Sequence, residues 1–273
     1  MKKTSTLFAL AAGAAALFTV SAAQAALVAY YTYDNPSALG HDSSGQGNDL
    51  VALGNPLAVA GQRGGGLELG GSAALVSASG TLAGLPTGDA SYTVATWFNP
   101  DTAGNGGAGG LVGWGNYGIQ NQVIALRMNG NTSLHQYWWN NDLTGYAGLD
   151  LTVGSGANGW HYAAVTYDAV TDINSMYLDG SLIAQRIGLG LNAGGSNFAI
   201  GKTVANEFFN GQIDETAIFN TALTGVQLQA VMNGGLQALD VPEPGSLSLA
   251  AAALLLLGLG RRGAKLGPAR AGG

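Results

Sequence analysis

The sequence contains no cysteine, so no disulfide braces the fold and its core must hold by packing alone. Cations are nearly as scarce. Between Ala26 and Val241 the only basic side chains are Arg63, Arg127, Arg186 and Lys202, against fifteen carboxylates, a formal charge of −11. A surface of that sign repels nucleic acid and anionic lipid, so neither is expected as a partner. It suits cations, calcium among them, or serves solubility alone. No long helical periodicity runs through the chain, which argues against a helical bundle. Several chemical motifs are missing as well. The glycine-rich stretch 104–110 lacks the Lys-Ser/Thr ending and the following helix of a phosphate loop. No acidic loop has the twelve-residue spacing and terminal Glu of an EF-hand. His41, His135 and His161 stand in no persuasive order with a serine and an aspartate, and His161, between Trp160 and Tyr162, reads as structural.

What is present is glycine, 45 residues of it, and many short β-rich runs between Gly, Asn and Asp. The runs predict strands at Leu27–Tyr33, Ala73–Ser77, Ser91–Phe98, Gly110–Trp114, Val123–Met128, Ser133–Trp138, Trp160–Tyr167, Ser175–Leu178, Ser181–Gln185, Asn197–Ile200 and Gly211–Phe219. Near-regular spacing with turn signals predicts an all-β fold, an antiparallel two-sheet jelly-roll sandwich. Asp179-Gly180 predicts a tight hairpin turn. One short helix is expected at Thr224–Met232, with Thr224 as its cap and Gly234-Gly235 as its stop. The domain spans residues 26–240, about 215 residues, enough to bury one core.

Both ends read as processing segments. Lys2 and Lys3, the apolar run Leu7–Val20 and the site Ala23-Gln24-Ala25 predict a helical signal peptide over residues 1–25. At the other end Val241-Pro242-Glu243-Pro244-Gly245-Ser246 breaks regular structure. An uncharged run, Leu247–Leu259, and the pair Arg261-Arg262 follow. That run reaches about 20 Å as a helix, short of the roughly 30 Å hydrocarbon core of a bilayer. Pro242-Glu243-Pro244, a short apolar helix and Arg261-Arg262 resemble the PEP-CTERM sorting signal of Gram-negative bacteria, over residues 241–262. The resemblance implies recognition by an exosortase, transient anchoring in the inner membrane, cleavage near Pro-Glu-Pro, and release to the cell surface or the extracellular matrix. Such tails usually stop at the arginines, whereas this chain adds a basic glycine-rich tail, residues 263–273.

The order of the internal segments carries a second resemblance. His41-Asp42-Ser43-Ser44-Gly45-Gln46-Gly47-Asn48-Asp49 follows the first strand. Gly70-Gly71-Ser72, Ser91–Phe98, Trp160–Asp168 and Tyr177-Leu178-Asp179-Gly180 come next, and Phe209–Thr224 closes the series. This resembles the LamG-like jelly-roll of the concanavalin A-like lectin/glucanase superfamily. The resemblance implies two packed antiparallel sheets, one with a concave face, and in many members a calcium ion. It extends to lectins, glycosidases and plain scaffolds, so it does not fix function.

Three chemistries are open to these residues. Calcium takes six to eight oxygens, and the loop 42–49 is rich in them. By the resemblance, Asp42, Asn48 and Asp214 would ligate the ion, with main-chain oxygen from Gly47. The alternative is that Asp42 and Asn48 form Asx-turns. For glycan, Trp138, Trp139, Asn140 and Asp142 place indole faces beside amide and carboxylate groups, with Trp114, Asn116 and Tyr117 as flanks. Alternation would send one of Trp138 and Trp139 into the core and the other to the sheet face; packing accounts for both equally well. For hydrolysis, the segment Gln212–Ala217 lacks the first and last carboxylates of the glucanase pattern Glu-x-Asp-x-x-Glu, and Asp214 and Glu215 are adjacent. The expectation is therefore an exported, non-enzymatic domain that binds carbohydrate or acts as an adhesin in the envelope or exopolysaccharide matrix. The alternatives are a structural matrix protein without a specific ligand and, last, a glycoside hydrolase.

Overall fold

The structure is a computed structural model, which describes residues 27–101, 107–146, 159–188 and 190–239. The signal segment 1–25 and the sorting segment 241–262, with Pro242, Glu243, Pro244, Arg261 and Arg262, lie outside the described residues. Among the described residues the strands are, in chain order, β1 (Leu27–Tyr31), β2 (Val51–Leu53), β3 (Leu57–Ala60), β4 (Gly65–Glu68), β5 (Ala74–Val76), β6 (Tyr92–Pro100), β7 (Ala108–Gly115) and β8 (Val123–Asn129). They continue as β9 (Ser133–Tyr137), β10 (Leu143–Tyr146), β11 (His161–Asp168), β12 (Ile173–Leu178), β13 (Ser181–Ile187), β14 (Ala199–Ile200) and β15 (Gly211–Phe219). Helix α1 (Gly225–Gly234) and a 3-10 turn (Leu236–Ala238) follow.

The strands form two antiparallel sheets, as the alternating runs predict. Sheet A runs β13-β12-β11-β6-β15-β4-β3 with β1 also on β15, and sheet B runs β10-β9-β8-β7-β14-β5-β2. Alternation fills the space between them: Ile124, Leu126 and Met128 of β8 and Leu134 of β9 point inward, facing Val94, Phe98, Val165, Ile213 and Ile218 from sheet A. Strand β15 is central. It pairs along β6 on one edge and changes partner on the other, from β4 at Gln212 and Ile213 to β1 at Thr216 to Phe219. A bulge between Asp214 and Ala217 marks the exchange, with Glu215 at φ 50°. The first strand ends at Tyr31, short of the expected Tyr33, because Tyr33 turns to φ 57°.

The outer face of sheet A is closed by α1. The helix starts as the sequence predicts: Thr224 and Gln227 cap each other reciprocally. Leu228 and Val231 pack on Tyr30, Ala95, Tyr162, Ala164, Ala217 and Phe219. No basic residue occupies the last turn of the helix. Arg63, from the β3–β4 turn, replaces one, donating to the carbonyls of Val231 (3.4 Å) and Met232 (2.5 Å). Glu215 sits 3.6 Å from Arg63 and accepts the Tyr30 hydroxyl. Among the described residues no helix is long and apolar enough to cross a membrane.

The loop 42–49 is stitched to the open edge of β1. Buried Asp42 accepts backbone N–H bonds from Tyr30 (3.0 Å), Ser44 (3.0 Å) and Asn48 (2.9 Å). Ser43 N–H donates back to the Tyr30 carbonyl, so the loop extends β1 like one more strand. Gly45 and Gly47 take φ values of 79° and 76°, a left-handed turn that side chains resist. Asp42→Ala removes the acceptor of three N–H groups, and we expect a loss of about 3 kcal/mol in urea denaturation; a change under about 0.5 kcal/mol would show that the loop does not depend on it.

Candidate functional site

The outer face of sheet B carries no helix among the described residues. Strand alternation places Val123, Ala125 and Arg127 of β8 on that face, beside His135 and Tyr137 of β9. Trp138 and Trp139 follow β9 and separate as alternation requires. Trp138 is fully buried in the inter-sheet core, its indole N–H 2.9 Å from the Tyr92 hydroxyl. Trp139 is half-buried and stands on the outer face with Val123, Ala125, Tyr137 and Val204. Its ring meets Tyr117 edge-on at 4.6 Å and Tyr137 at 5.6 Å. Tyr117 is 53% exposed. Tyr117 and half-buried Trp139 face solvent, and Tyr137, 6% exposed, packs beneath them as the floor of the aromatic cluster.

The loop bearing the patch is tightly held. Trp139 and Asn140 both adopt φ 64°, outside the usual range for such side chains. Asp142 accepts the Trp138 backbone N–H at 2.9 Å, and Asn121 N–H donates to the Trp139 carbonyl at 3.2 Å. Asn141 bonds Asn121 at 2.5 Å. Asn140 is exposed beside Trp139. Four of the sequence candidates are thus accounted for: Trp139, Asn140 and Asp142 meet at one rim, and Trp138 is buried behind them. Of the expected flanks, Tyr117 joins the patch. Trp114 is core and donates to the Pro86 carbonyl, and Asn116 is bonded to Gln122 and Ser196.

A polar chain borders the rings. Thr203 donates to Glu207 at 2.8 Å, Glu207 pairs with Arg127, and the Arg127 guanidinium lies 4.7 Å from the Tyr137 ring centre. Arg127 Nε donates to His135 Nδ1 at 3.0 Å, which puts the His135 proton on Nε2, 3.4 Å from Asp142 Oδ2. Burial alone would raise the Asp142 carboxyl, but the His135 bond, the Trp138 N–H and the charge of Arg127 outweigh it, and the net shift is downward. Burial, first of all, pushes the Tyr137 phenol up. Arg127 and Glu207 were not singled out by sequence reasoning. Only their spacing on an outward-facing parity could have marked Arg127, and nothing local marks Glu207.

The residues proposed for calcium are not brought together. Asp42 binds the Tyr30 N–H on the side of β1 away from β15. Tyr30 stands opposite Ala217, and Asp214 lies beyond the bulge in β15, a span that β6 covers in two residues, Ala95 to Trp97, about 7 Å at strand rise. Asn48 spends its amide on Val28 and Ala83 carbonyls and on the Ala83 N–H. Asp214 accepts N–H bonds from Arg63 (2.8 Å) and Glu215 (2.7 Å). Asp42 and Asp214 share no partner, and the carboxylate oxygens that would ligate an ion face backbone donors. As placed, Asp42, Gly47, Asn48 and Asp214 do not fit a shared calcium, and their arrangement matches the turn-forming alternative. Among the described residues no three His, Asp or Glu side chains gather as a metal group.

Comparison with known proteins agrees with the architecture. A family model described as the concanavalin A-like lectin/glucanases superfamily matches residues 69–229. The chain belongs to this superfamily. Solved structures share the concanavalin A-like fold. Domain 4 of AbnA, a GH43 extracellular arabinanase from Geobacillus stearothermophilus solved with arabinotriose, is 23% identical with a TM-score of 0.57, covering 76% of this chain and 98% of that one. The binding domain of Paraclostridial Mosquitocidal Protein 1 is 15% identical (TM-score 0.58), covering 76% of this chain and 52% of that one. The binding domain of Botulinum Neurotoxin DC, solved with SialylT, is 14% identical (TM-score 0.54), covering 76% and 51%. The concanavalin A-like domain here thus spans about half of each toxin binding domain. No curated protein matches the chain.

Asp214 gives this domain a measurable pH signature. Burial, the largest cause, raises its carboxyl from 3.8 to about 7; the Glu215 charge adds to this and the two N–H bonds oppose it. The folded state therefore keeps a proton between about pH 4 and 7 that the unfolded chain has lost. Its contribution to stability is full below pH 4 and is lost as pH rises through 7. Asp214→Asn should flatten the fall in unfolding free energy over that range; a wild-type and variant pair with equal slopes would contradict the assignment.

Proposed function

We propose that the protein is a non-catalytic carbohydrate-binding module that takes its ligand on the outer face of sheet B. The supporting observation is the pair of rings that reach solvent, Tyr117 and half-buried Trp139, seated on buried Tyr137 and bordered by Asn140, Asp142, Arg127 and Glu207. A sugar ring offers a C–H face for an indole or phenol and hydroxyls for amide and carboxylate groups. Arg127 is paired with Glu207, so the rim does not select for a strongly charged glycan. A hydrolytic role finds no support in the residues considered for it: Asp214 is fully buried, and Glu215 is engaged with Tyr30 and Arg63.

The reading extends to where the module works. Its leader sends it out of the cytoplasm. Its sorting tail gives it to an exosortase at the inner membrane of a Gram-negative bacterium. The cleaved domain then acts at the cell surface or in the exopolysaccharide matrix, as an adhesin or matrix-binding component. The acidic charge of residues 26–241 suits a soluble exported domain.

A glycan array with the segment Ala26–Asp240 should return carbohydrate ligands, and Trp139→Ala should weaken the best of them at least tenfold, about 1.4 kcal/mol, by calorimetry. Val170→Ser, at a position 92% exposed, is the control and should bind as wild type. An array without ligands, or undiminished binding by Trp139→Ala, would favour the matrix protein without a specific ligand or move the site elsewhere.

A further inference from the structure

One end of the sandwich holds a row of inward polar side chains. Cross-strand register sets Tyr92 of β6 opposite Tyr167 of β11, Tyr167 opposite Asn174 of β12, and Asn174 opposite Arg186 of β13. Tyr92 and Tyr167 belong to the inter-sheet core, so the pleat turns Asn174 and Arg186 inward with them. Gln136 and Trp138 reach across from sheet B, and both donate to the Tyr92 hydroxyl. The Trp138 ring stands edge-on to Tyr167 at 5.2 Å, and the Arg186 guanidinium lies 5.3 Å from the Trp138 ring centre. Arg186 also donates to the Asn141 carbonyl.

This layer has more polar atoms than protein partners. Asn174 is fully buried, and neither its Nδ2 nor its Oδ1 is bonded. Among the described residues Gln136 Oε1 and Arg186 Nε are buried without partners as well. Turning the Gln136 amide over changes which atom is left, not the count: the Tyr92 hydroxyl then donates to Oε1 and Nε2 loses its acceptor. Each such group is costly if nothing meets it, and native interiors leave few. The required guest follows from the chemistry. Asn174 needs a donor and an acceptor together, and Arg186 Nε needs an acceptor. A bare cation meets only the oxygens and an anion only the N–H groups. A small hydroxyl meets both.

We propose that this layer is a binding site for buried water, bridging Asn174, Gln136 and Arg186 between the two sheets. Water in such sites makes about three hydrogen bonds to groups that otherwise lack them. Through Arg186 the link continues to the Asn141 carbonyl, in the loop that carries Trp139.

The test uses the isotope-labelled full chain in plain aqueous buffer. A water cross-peak to the Asn174 side-chain amide protons, with the sign of a molecule held longer than nanoseconds, is expected. Oxygen-17 relaxation dispersion should show the same slow water, and Asn174→Leu should lower its amplitude. The wild-type cross-peak decides the matter even if that variant fails to fold. Absence of the cross-peak would overturn the site. Replacement of it by a glycerol cross-peak in molar glycerol would overturn water as the occupant and assign a polyol hydroxyl instead.

Discussion

The fold depends on the change of partners along β15. This strand is the last among the described residues, yet it lies inside sheet A, between β6 and the pair formed by β4 and β1. β1 forms its only strand pair, among the described residues, with β15, across some 190 positions of sequence. The loop 42–49 in turn builds on β1, and α1 rests on the residues that β1, β6, β11 and β15 present outward. With no disulfide to tether the ends, the sandwich closes only when its final strand arrives. Such non-local pairing is slow to form, because loop closure precedes any gain from contact.

The bulge that makes the exchange possible also organises the covered face. It turns Glu215 toward Tyr30 and Arg63 while Asp214 stays fully buried. Arg63 then meets the carbonyls at the end of α1. Burial, an ion pair and a helix terminus thus share one cation, and the outer face of sheet A is used up. The outer face of sheet B carries no helix among the described residues and presents Tyr117 and half-buried Trp139 to solvent above buried Tyr137. The two outer faces differ in what packs on them, α1 on sheet A and the side chains of Trp139 and Val204 on sheet B, and the proposed function rests on the exposed Tyr117 and half-buried Trp139 at the latter.

Much of this was legible in the sequence. The eleven runs read as strands all contain strand in the structure, because each carries β-branched or aromatic residues in alternation, and the Thr224 cap fixed the start of α1. Four strands were missed. β2, β3 and β4 lie in a stretch of Gly, Ala and Leu where β2 and β3 bury little, and alternation has nothing to register. β10 follows two asparagines that read as loop. The split of Trp138 from Trp139 followed from parity alone. That Asp42 and Asp214 are held by separate backbone donors was not legible, since sequence shows neither the side of β1 that a loop chooses nor the bulge in β15. Arg127 and Glu207 meet only through tertiary structure, 80 residues apart, and no local pattern announces them.

The central claim is that ligand meets the open face of sheet B and nothing on sheet A. The five tryptophan indole N–H signals report on it directly, since Trp139 stands on that face, Trp97 lies under α1, and Trp114, Trp138 and Trp160 are buried. In a nitrogen-15 titration of the segment Ala26–Asp240 with an array-positive oligosaccharide, the Trp139 signal should move with saturation while that of Trp97 stays fixed. A saturating shift at Trp97 with Trp139 unmoved would contradict the account.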